Sequence, residues 1–342
     1  MIYYFYPQWH KVSFSVISEY HIRELRKYFK LYALDELTLP HIHIVSRPLL
    51  ILHPYFFNVC RIGRHLEFLL PRIRGLIGVD VADTDKLSCF GVHLTNYATA
   101  IIVPSNFARE VYVRSGVKVP VHVVPHGLDK LYFSKKPTFI RFHHYYLKKK
   151  KEKKIYLLTY LMHSGYRKGD DLVLEFWSRV KKEYKNLELF IKVIQPDERY
   201  KRAGAILISD WLSIHEQIEL YDLCDIYLLF SRGGAFELNG LESLARGEVV
   251  IAPDKGAWTE FLPKFCLVKS RPSGVIFPDN PIHVGKGFEI DVEKALDKFH
   301  DIVNNLDEYK ARVREYVDEV VKNTYTWEKI GILLRDIITK YL

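Results

Sequence analysis

Residues 225–253 read DIYLLFSRGGAFELNGLESLARGEVVIAP. An apolar run of strand length ends in a glycine pair, a segment with helical spacing, LNGLESLAR, follows it, and a second apolar run, EVVIA, closes the stretch. A strand buried on both faces reads as a continuous apolar run rather than an alternating one, so this order predicts a parallel sheet covered by helices. Gly233 and Gly234 allow a sharp turn at the carboxyl end of the first strand, which is where open α/β sheets bind ligands. The free N–H groups and dipole of the following helix favour an anion such as phosphate there. Glu242 has two readings at this point. It either accepts hydrogen bonds from a sugar hydroxyl pair or is a carboxylate interacting with the helix dipole.

The same alternation extends in both directions. In the first half MIYYFY, HIHIV, LLIL, LIGV, TAIIV and VHVV read as strands, with EYHIRELRKYFKLYAL and SNFAREVYVRSG as amphipathic helices. Ser105 is the expected N-cap of the second helix. In the second half IYLLTYLM, LELFIKV, AILI, DIYLLF and EVVIA are buried-strand runs, separated by helices DDLVLEFWSRVKKEY, SIHEQIELYDLC and LNGLESLAR. A chain of 342 residues is about twice a typical domain. The expectation is an α/β protein of two doubly wound domains, 1–140 and 155–324, joined by a charged linker at 141–154 that contains LKKKKEKK.

Composition narrows the partners. Residues 1–150 carry 21 Lys and Arg against 10 Asp and Glu, whereas residues 151–342 carry 29 against 31. A net of +11 on the first half suits an acidic partner: an anionic membrane to which the protein associates peripherally, a phosphorylated carrier, or nucleic acid. An ordinary solvated basic surface reads equally well. No stretch is long and apolar enough to span a bilayer, and the N-terminus lacks the features of a cleaved leader. Cys60, Cys89, Cys224 and Cys266 form no CxxC pair and sit mostly in apolar surroundings, which suits buried thiols in the cytoplasm. His41–His43 and His143–His144 lack carboxylates at ligand spacing, so no metal site is expected from them.

The stretch DWLSIHEQIELYDLCDIYLLFSRGGAFELNGLESLARGEVVIAPDKGAWTEFL resembles the donor-binding region of family 4 glycosyltransferases, enzymes of the GT-B fold that use nucleotide-diphosphate sugars. Three further segments match in family order. VPSNFAREVYVRSGVKVPVHVVPHGLD at 103–129 is similar to the end of the family's N-terminal domain, and LMHSGYRKGDDLVLEF at 161–176 to the first loop and helix of its C-terminal domain. TYTWEKIGILLRDI is similar to the closing helix, so that 325–342 would return to the N-terminal domain. The resemblance implies a GT-B architecture, with two Rossmann-like domains facing each other across a cleft. It also implies transfer from a nucleotide sugar to an acceptor hydroxyl with retention of configuration; because no metal-ligand set is apparent in the sequence, the reaction is expected to need no metal or other cofactor.

Carried onto this chain, the resemblance makes Lys168 the lysine on the donor diphosphate and Glu242 the ribose-binding second glutamate of the family's E-x7-E signature. Gly233, Gly234, Phe236, Leu238 and Asn239 line the donor, and Trp211 with Leu212 stands where the base is received. Three departures stand out. The first glutamate of the signature falls on Gly234, leaving Glu237 as the nearest carboxylate, either to orient the sugar or to cap the helix. The family's arginine before KG falls on Met162–His163, with Arg167 the substitute. The glycine-rich loop after the first strand is absent, since the first glycine is Gly63. On the acceptor side Asp80, Asp83, His53 and His93 stay open as candidate bases, and Asp83–Thr84–Asp85 is a formal DxD read as a loop rather than a cation site. The acceptor would be a glycan, a lipid-linked group or a protein, with nucleic acid ranking behind them. An alternative keeps the basic half as a nucleic-acid-binding surface beside a degenerate donor site.

Overall fold

A computed structural model describes every residue except 10, 43, 45, 64 and 135–138. The chain forms two units. One comprises Met1–Gly127, Phe277–Gly285 and Thr324–Leu342; the other comprises Leu128–Ile276 and Lys286–Asn323.

The first unit holds a six-stranded sheet, β1 (Ile2–Tyr6), β2 (Leu31–Asp35), β3 (Leu49–Leu52), β4 (Gly75–Val79), β5 (Ala100–Val103) and β6 (Val121–Val123). All strands are parallel, in the order β2-β1-β3-β4-β5-β6. Strands β3, β4 and β5 are buried at every position, as their unbroken apolar runs require. Ser105 caps the Asn106–Ser115 helix by accepting from the Ala108 N–H, and Gly116 ends it in the left-handed conformation. The helix Trp327–Thr339 packs on the helix Ser13–Leu25, with Trp327 stacked on Tyr20 at 4.6 Å.

Two sequence expectations change in this unit. The helix expected to run through LYAL stops at Leu25, and Leu31–Asp35 instead pairs in register with Ile2–Tyr6. The residues 26–30 between them leave the helix, so tertiary pairing overrides the helical spacing of that segment. HIHIV is not a strand among its described residues: His41 ends a 3₁₀ turn that begins at Glu36, while residues 43 and 45 lie outside the described set. The thiols differ as well. Cys224 and Cys266 are buried, but Cys60 and Cys89 are exposed, because both lie on the outer faces of amphipathic helices.

The second unit repeats the plan with β7 (Ile155–Tyr160), β8 (Leu187–Lys192), β9 (Ile206–Ile208), β10 (Ile226–Leu228), β11 (Val249–Pro253) and β12 (Leu267–Val268), again parallel, in the order β12-β11-β10-β7-β8-β9. An antiparallel pair, β13 (Ser270–Val275) and β14 (Lys286–Ile290), adds to it. The order reverses direction at β7 and β10. The loops that follow these two strands therefore meet at the carboxyl edge of the sheet, the usual place for a ligand in such folds. The charged segment expected as a linker is a helix over His143–Glu152, tied into this unit. Lys149 bridges to buried Asp225 at 2.7 Å and Lys310 pairs with the same carboxylate. Burial raises the Asp225 pKa, but the two ammonium groups outweigh it and hold the carboxyl below its ordinary value. Lys148 pairs with Glu188, so much of the lysine run is consumed in internal ion pairs. Among the described residues no helix is long and apolar enough to cross a membrane.

Candidate active site

Strand β7 ends at Tyr160 and leads through a loop to a single helical turn, Gly165–Lys168. Gly169 then starts the helix Asp170–Glu183 at φ 70°, a conformation that disfavours side chains. A Cβ there would also overlap the Phe230 carbonyl oxygen, so glycine lets this turn close onto the end of β10. The two loops are bonded to each other. The Arg232 N–H donates to the Arg167 carbonyl at 2.7 Å. The Arg232 guanidinium, only 2% exposed, donates to the Tyr166 carbonyl at 2.8 Å, to both Asp171 oxygens at 2.7 Å, and to Glu289 at 2.7 Å. It lies over the Tyr166 ring at 4.0 Å. Burial raises the Asp171 pKa, yet the bidentate arginine overcomes this and holds it below its ordinary value. This side chain fixes the turn that carries Arg167 and Lys168.

Lys168 points across to the glycine pair. Its Nζ donates to both oxygens of Glu237, at 2.8 and 2.6 Å. Arg167 Nη1 donates to the Gly233 carbonyl at 3.1 Å and to Glu237 Oε1 at 3.4 Å. All three side chains are nearly enclosed, with Lys168 12% and Glu237 5% exposed. Glu237 occupies the N-cap position of the helix Leu238–Ala245 at φ 66°, but its carboxylate makes no capping bond. Of the two roles open to it, the capping one is thereby removed. Its carboxylate folds back over Gly234, where an added Cβ would overlap Oε1. The Glu237 carboxylate thus lies in the space beside position 234.

Glu242 sits further along the same helix in a different set of bonds. Its Oε2 accepts from Tyr221 OH at 2.8 Å, Gln217 Nε2 at 2.9 Å and Asn239 Nδ2 at 3.2 Å. Burial pushes its pKa up to about 7, against the lowering effect of hydrogen bonds from Tyr221, Tyr132, Asn239 and Gln217. Gln217 and Tyr221 are four residues apart on one face of the helix Ile214–Leu223, the spacing by which they were detectable. Arg232 was likewise missed, although an arginine directly after a buried strand and before two glycines is a recognisable signal. Phe236 is buried and packs against Phe261 at 5.0 Å. Leu238 and Asn239 are part-buried in the first turn of that helix. Trp211 is 56% exposed in the loop before the helix Ile214–Leu223, and neighbouring Leu212 is buried.

The acceptor-side candidates lie in the first unit and differ in environment. Asp80 is buried and accepts from the Phe56 and Val81 N–H groups at 2.7 and 2.8 Å. Burial pushes its pKa up to about 7 in spite of those bonds. His53 is buried with Nδ1 within hydrogen-bond distance of Ser18 Oγ (2.8 Å) and Tyr4 OH (3.2 Å), and burial lowers its pKa. His93 is exposed beside Tyr97. Thr84, between Asp83 and Asp85, donates to the Lys86 carbonyl and accepts from the Gly285 N–H, as a loop-forming residue does. Among the described residues no group of three or more His, Cys, Asp and Glu side chains is arranged to hold a metal ion.

No family model matches the chain. "Uncharacterized protein 356" of Sulfolobus islandicus rod-shaped virus 1 is 32% identical over 99% of this chain and 98% of its own length. "Putative glycosyltransferase 45" of a Sulfolobus islandicus filamentous virus (isolate Iceland/Hveragerdi) is 28% identical over 67% of this chain and 64% of its own. Among solved structures, Anabaena HepE in complex with UDP and glucose superposes with a TM-score of 0.73 at 10% identity, covering 99% of both chains. The two parallel sheets with flanking helices are those of the GT-B glycosyltransferase fold. The chain belongs to the family of the rod-shaped-virus protein.

Proposed function

From that membership and that fold, we propose that this chain is a glycosyltransferase that holds the diphosphate of a nucleotide-sugar donor at Lys168 and Arg167, over the Gly233–Gly234 backbone. The observation that carries the reading is the convergence of two enclosed cations on one turn, opposite a glycine pair, at the carboxyl ends of adjacent strands β7 and β10. That HepE is seen with UDP and glucose supports UDP as the first nucleotide to test.

The chemistry follows from charge. As the bond between the sugar carbon and the diphosphate oxygen breaks, negative charge grows on that oxygen, and a fixed ammonium in a water-poor site stabilises it more than it stabilises the ground state. The acceptor hydroxyl forms the new bond to the same carbon and passes its proton to the departing phosphate, on the same face, so configuration is retained. The protein contributes placement and electrostatics, and no side chain need act as a nucleophile. Lys168 and Arg167 supply the cationic charge, so the reaction runs without a divalent metal. Glu242 receives the ribose hydroxyls and Glu237 orients the transferred sugar.

Release of UDP from UDP-sugars, with and without acceptor, tests the reading in wild type, Lys168→Ala and Glu242→Ala. Loss of about 10²–10³ in kcat is expected for the lysine variant. Near-normal turnover in both variants overturns the assignment.

A further inference from the structure

The geometry around Gly234 points to a second role for Glu237, one that rests on the reading of Lys168 and Arg167 as the diphosphate cations. We propose that Glu237 is a resident counter-ion that the donor displaces. Without donor its carboxylate neutralises Lys168 and Arg167; the incoming phosphate oxygens take over both cations, and the released carboxylate swings off Gly234 toward the sugar.

Three observations carry this. Lys168 spends two of its three N–H donors on the two Glu237 oxygens, and Arg167 divides Nη1 between Glu237 and the Gly233 carbonyl. A diphosphate therefore cannot bond these groups fully while the carboxylate keeps them. The carboxylate rests above a residue with no side chain, in space that any larger residue at 234 would fill. Gly234 itself is not in the left-handed region, so its backbone does not demand glycine there, and room for the Glu237 carboxylate is the steric reason the structure shows for it. Finally, Glu237 is a non-glycine residue at φ 66°, a conformation that costs about 1 kcal/mol or more and persists only where surrounding contacts impose it. Those contacts include the ion pairs to Lys168 and Arg167 and the bond from the Gly240 N–H to the Glu237 carbonyl, while the two cations stand on a turn that Arg232 bonds in place.

The exchange predicts that the donor competes with Glu237, so weakening the resident pair must strengthen nucleotide binding while slowing transfer. Calorimetric titration with UDP, ADP and GDP in turn measures this for wild type, Glu237→Gln and Gly234→Ala, with thermal unfolding establishing that each variant is folded. Glu237→Gln removes the competing charge and is expected to bind the preferred nucleotide about tenfold more tightly, which corresponds to about 1.4 kcal/mol. Its kcat for transfer should fall. Gly234→Ala keeps the charge but denies it its seat, and should also bind more tightly. If Glu237→Gln alone gains affinity, the carboxylate is a fixed repulsive charge and the exchange is wrong. If neither variant gains affinity over a wild type that binds, the inference fails alone. A wild type with no affinity for any of the three nucleotides overturns the functional reading and this inference with it.

Discussion

Glu242 gives the most quantitative prediction. Its carboxyl is buried, its Oε2 takes three side-chain hydrogen bonds, and its pKa rises from an ordinary 4.5 to about 7. The native state therefore holds this proton more tightly than the unfolded chain does. Wild-type stability from this group is fully present below pH 4.5, falls as pH rises through the interval to about 7, and stays low above it. At 1.36 kcal/mol per unit the loss across that window is about 3 kcal/mol. Glu242→Gln carries no titrating group, so its stability relative to wild type should grow by up to about 3 kcal/mol between pH 5 and pH 8. The rise at Asp80 is common to both proteins and cancels in the difference. Calorimetric unfolding of both proteins at half-unit pH intervals reads this directly. At roughly 2 °C per kcal/mol for a chain of this size, the second unit's transition should separate by about 5 °C at pH 8 and converge near pH 5. The same variant should lose donor affinity, since a neutral amide accepts sugar hydroxyls less strongly than a carboxylate. A difference that stays flat from pH 5 to pH 8 refutes the argument that burial dominates at Glu242.

Gly169→Ala places a side chain at φ 70° against the Phe230 carbonyl, and should lower stability by more than about 2 kcal/mol and reduce transfer together, as thermal unfolding and a UDP-release assay would show. Arg232→Met removes the bonds to Tyr166, Asp171 and Glu289; a loss of about 3 kcal/mol in stability, with a fall in kcat larger than any rise in KM, is expected if this residue positions the Lys168 turn. A fall in stability with kcat unchanged would leave Arg232 a purely structural residue. Transfer should persist in excess chelator, because Lys168 and Arg167 supply the charge on the diphosphate; abolition by EDTA and rescue by manganese would instead return attention to Asp83 and Asp85.

The apolar runs made both sheets legible, since strands of a parallel sheet are buried at nearly every position. DIYLLF, the glycine pair and LESLA were legible for the same reason as a strand, a loop and a helix. Failures came where a longer-range partner decides the conformation. LYALD has helical spacing but pairs with β1, and the lysine run reads as a solvated connector until Asp225 and Glu188 are brought beside it. The placement of Glu237 was legible only as a spacing anomaly. Which way its carboxylate turns depends on one left-handed backbone angle and on a missing side chain three residues earlier, neither of which leaves a periodic trace. Arg232, Gln217 and Tyr221 left only weak local signals, an arginine after a buried strand and an i, i+4 pair, since each acts through a neighbour on another element.

The central claim is that this chain holds a nucleotide-sugar diphosphate on Lys168 and Arg167 at the carboxyl edge of the second sheet. A crystal structure of the protein soaked with UDP tests it most directly. The account predicts phosphate oxygens within hydrogen-bond distance of Lys168 Nζ, Arg167 and the Gly233–Gly234 backbone, with the ribose hydroxyls at Glu242. Well-ordered UDP whose phosphates touch neither cation, with the Lys168–Glu237 pair intact, would contradict it.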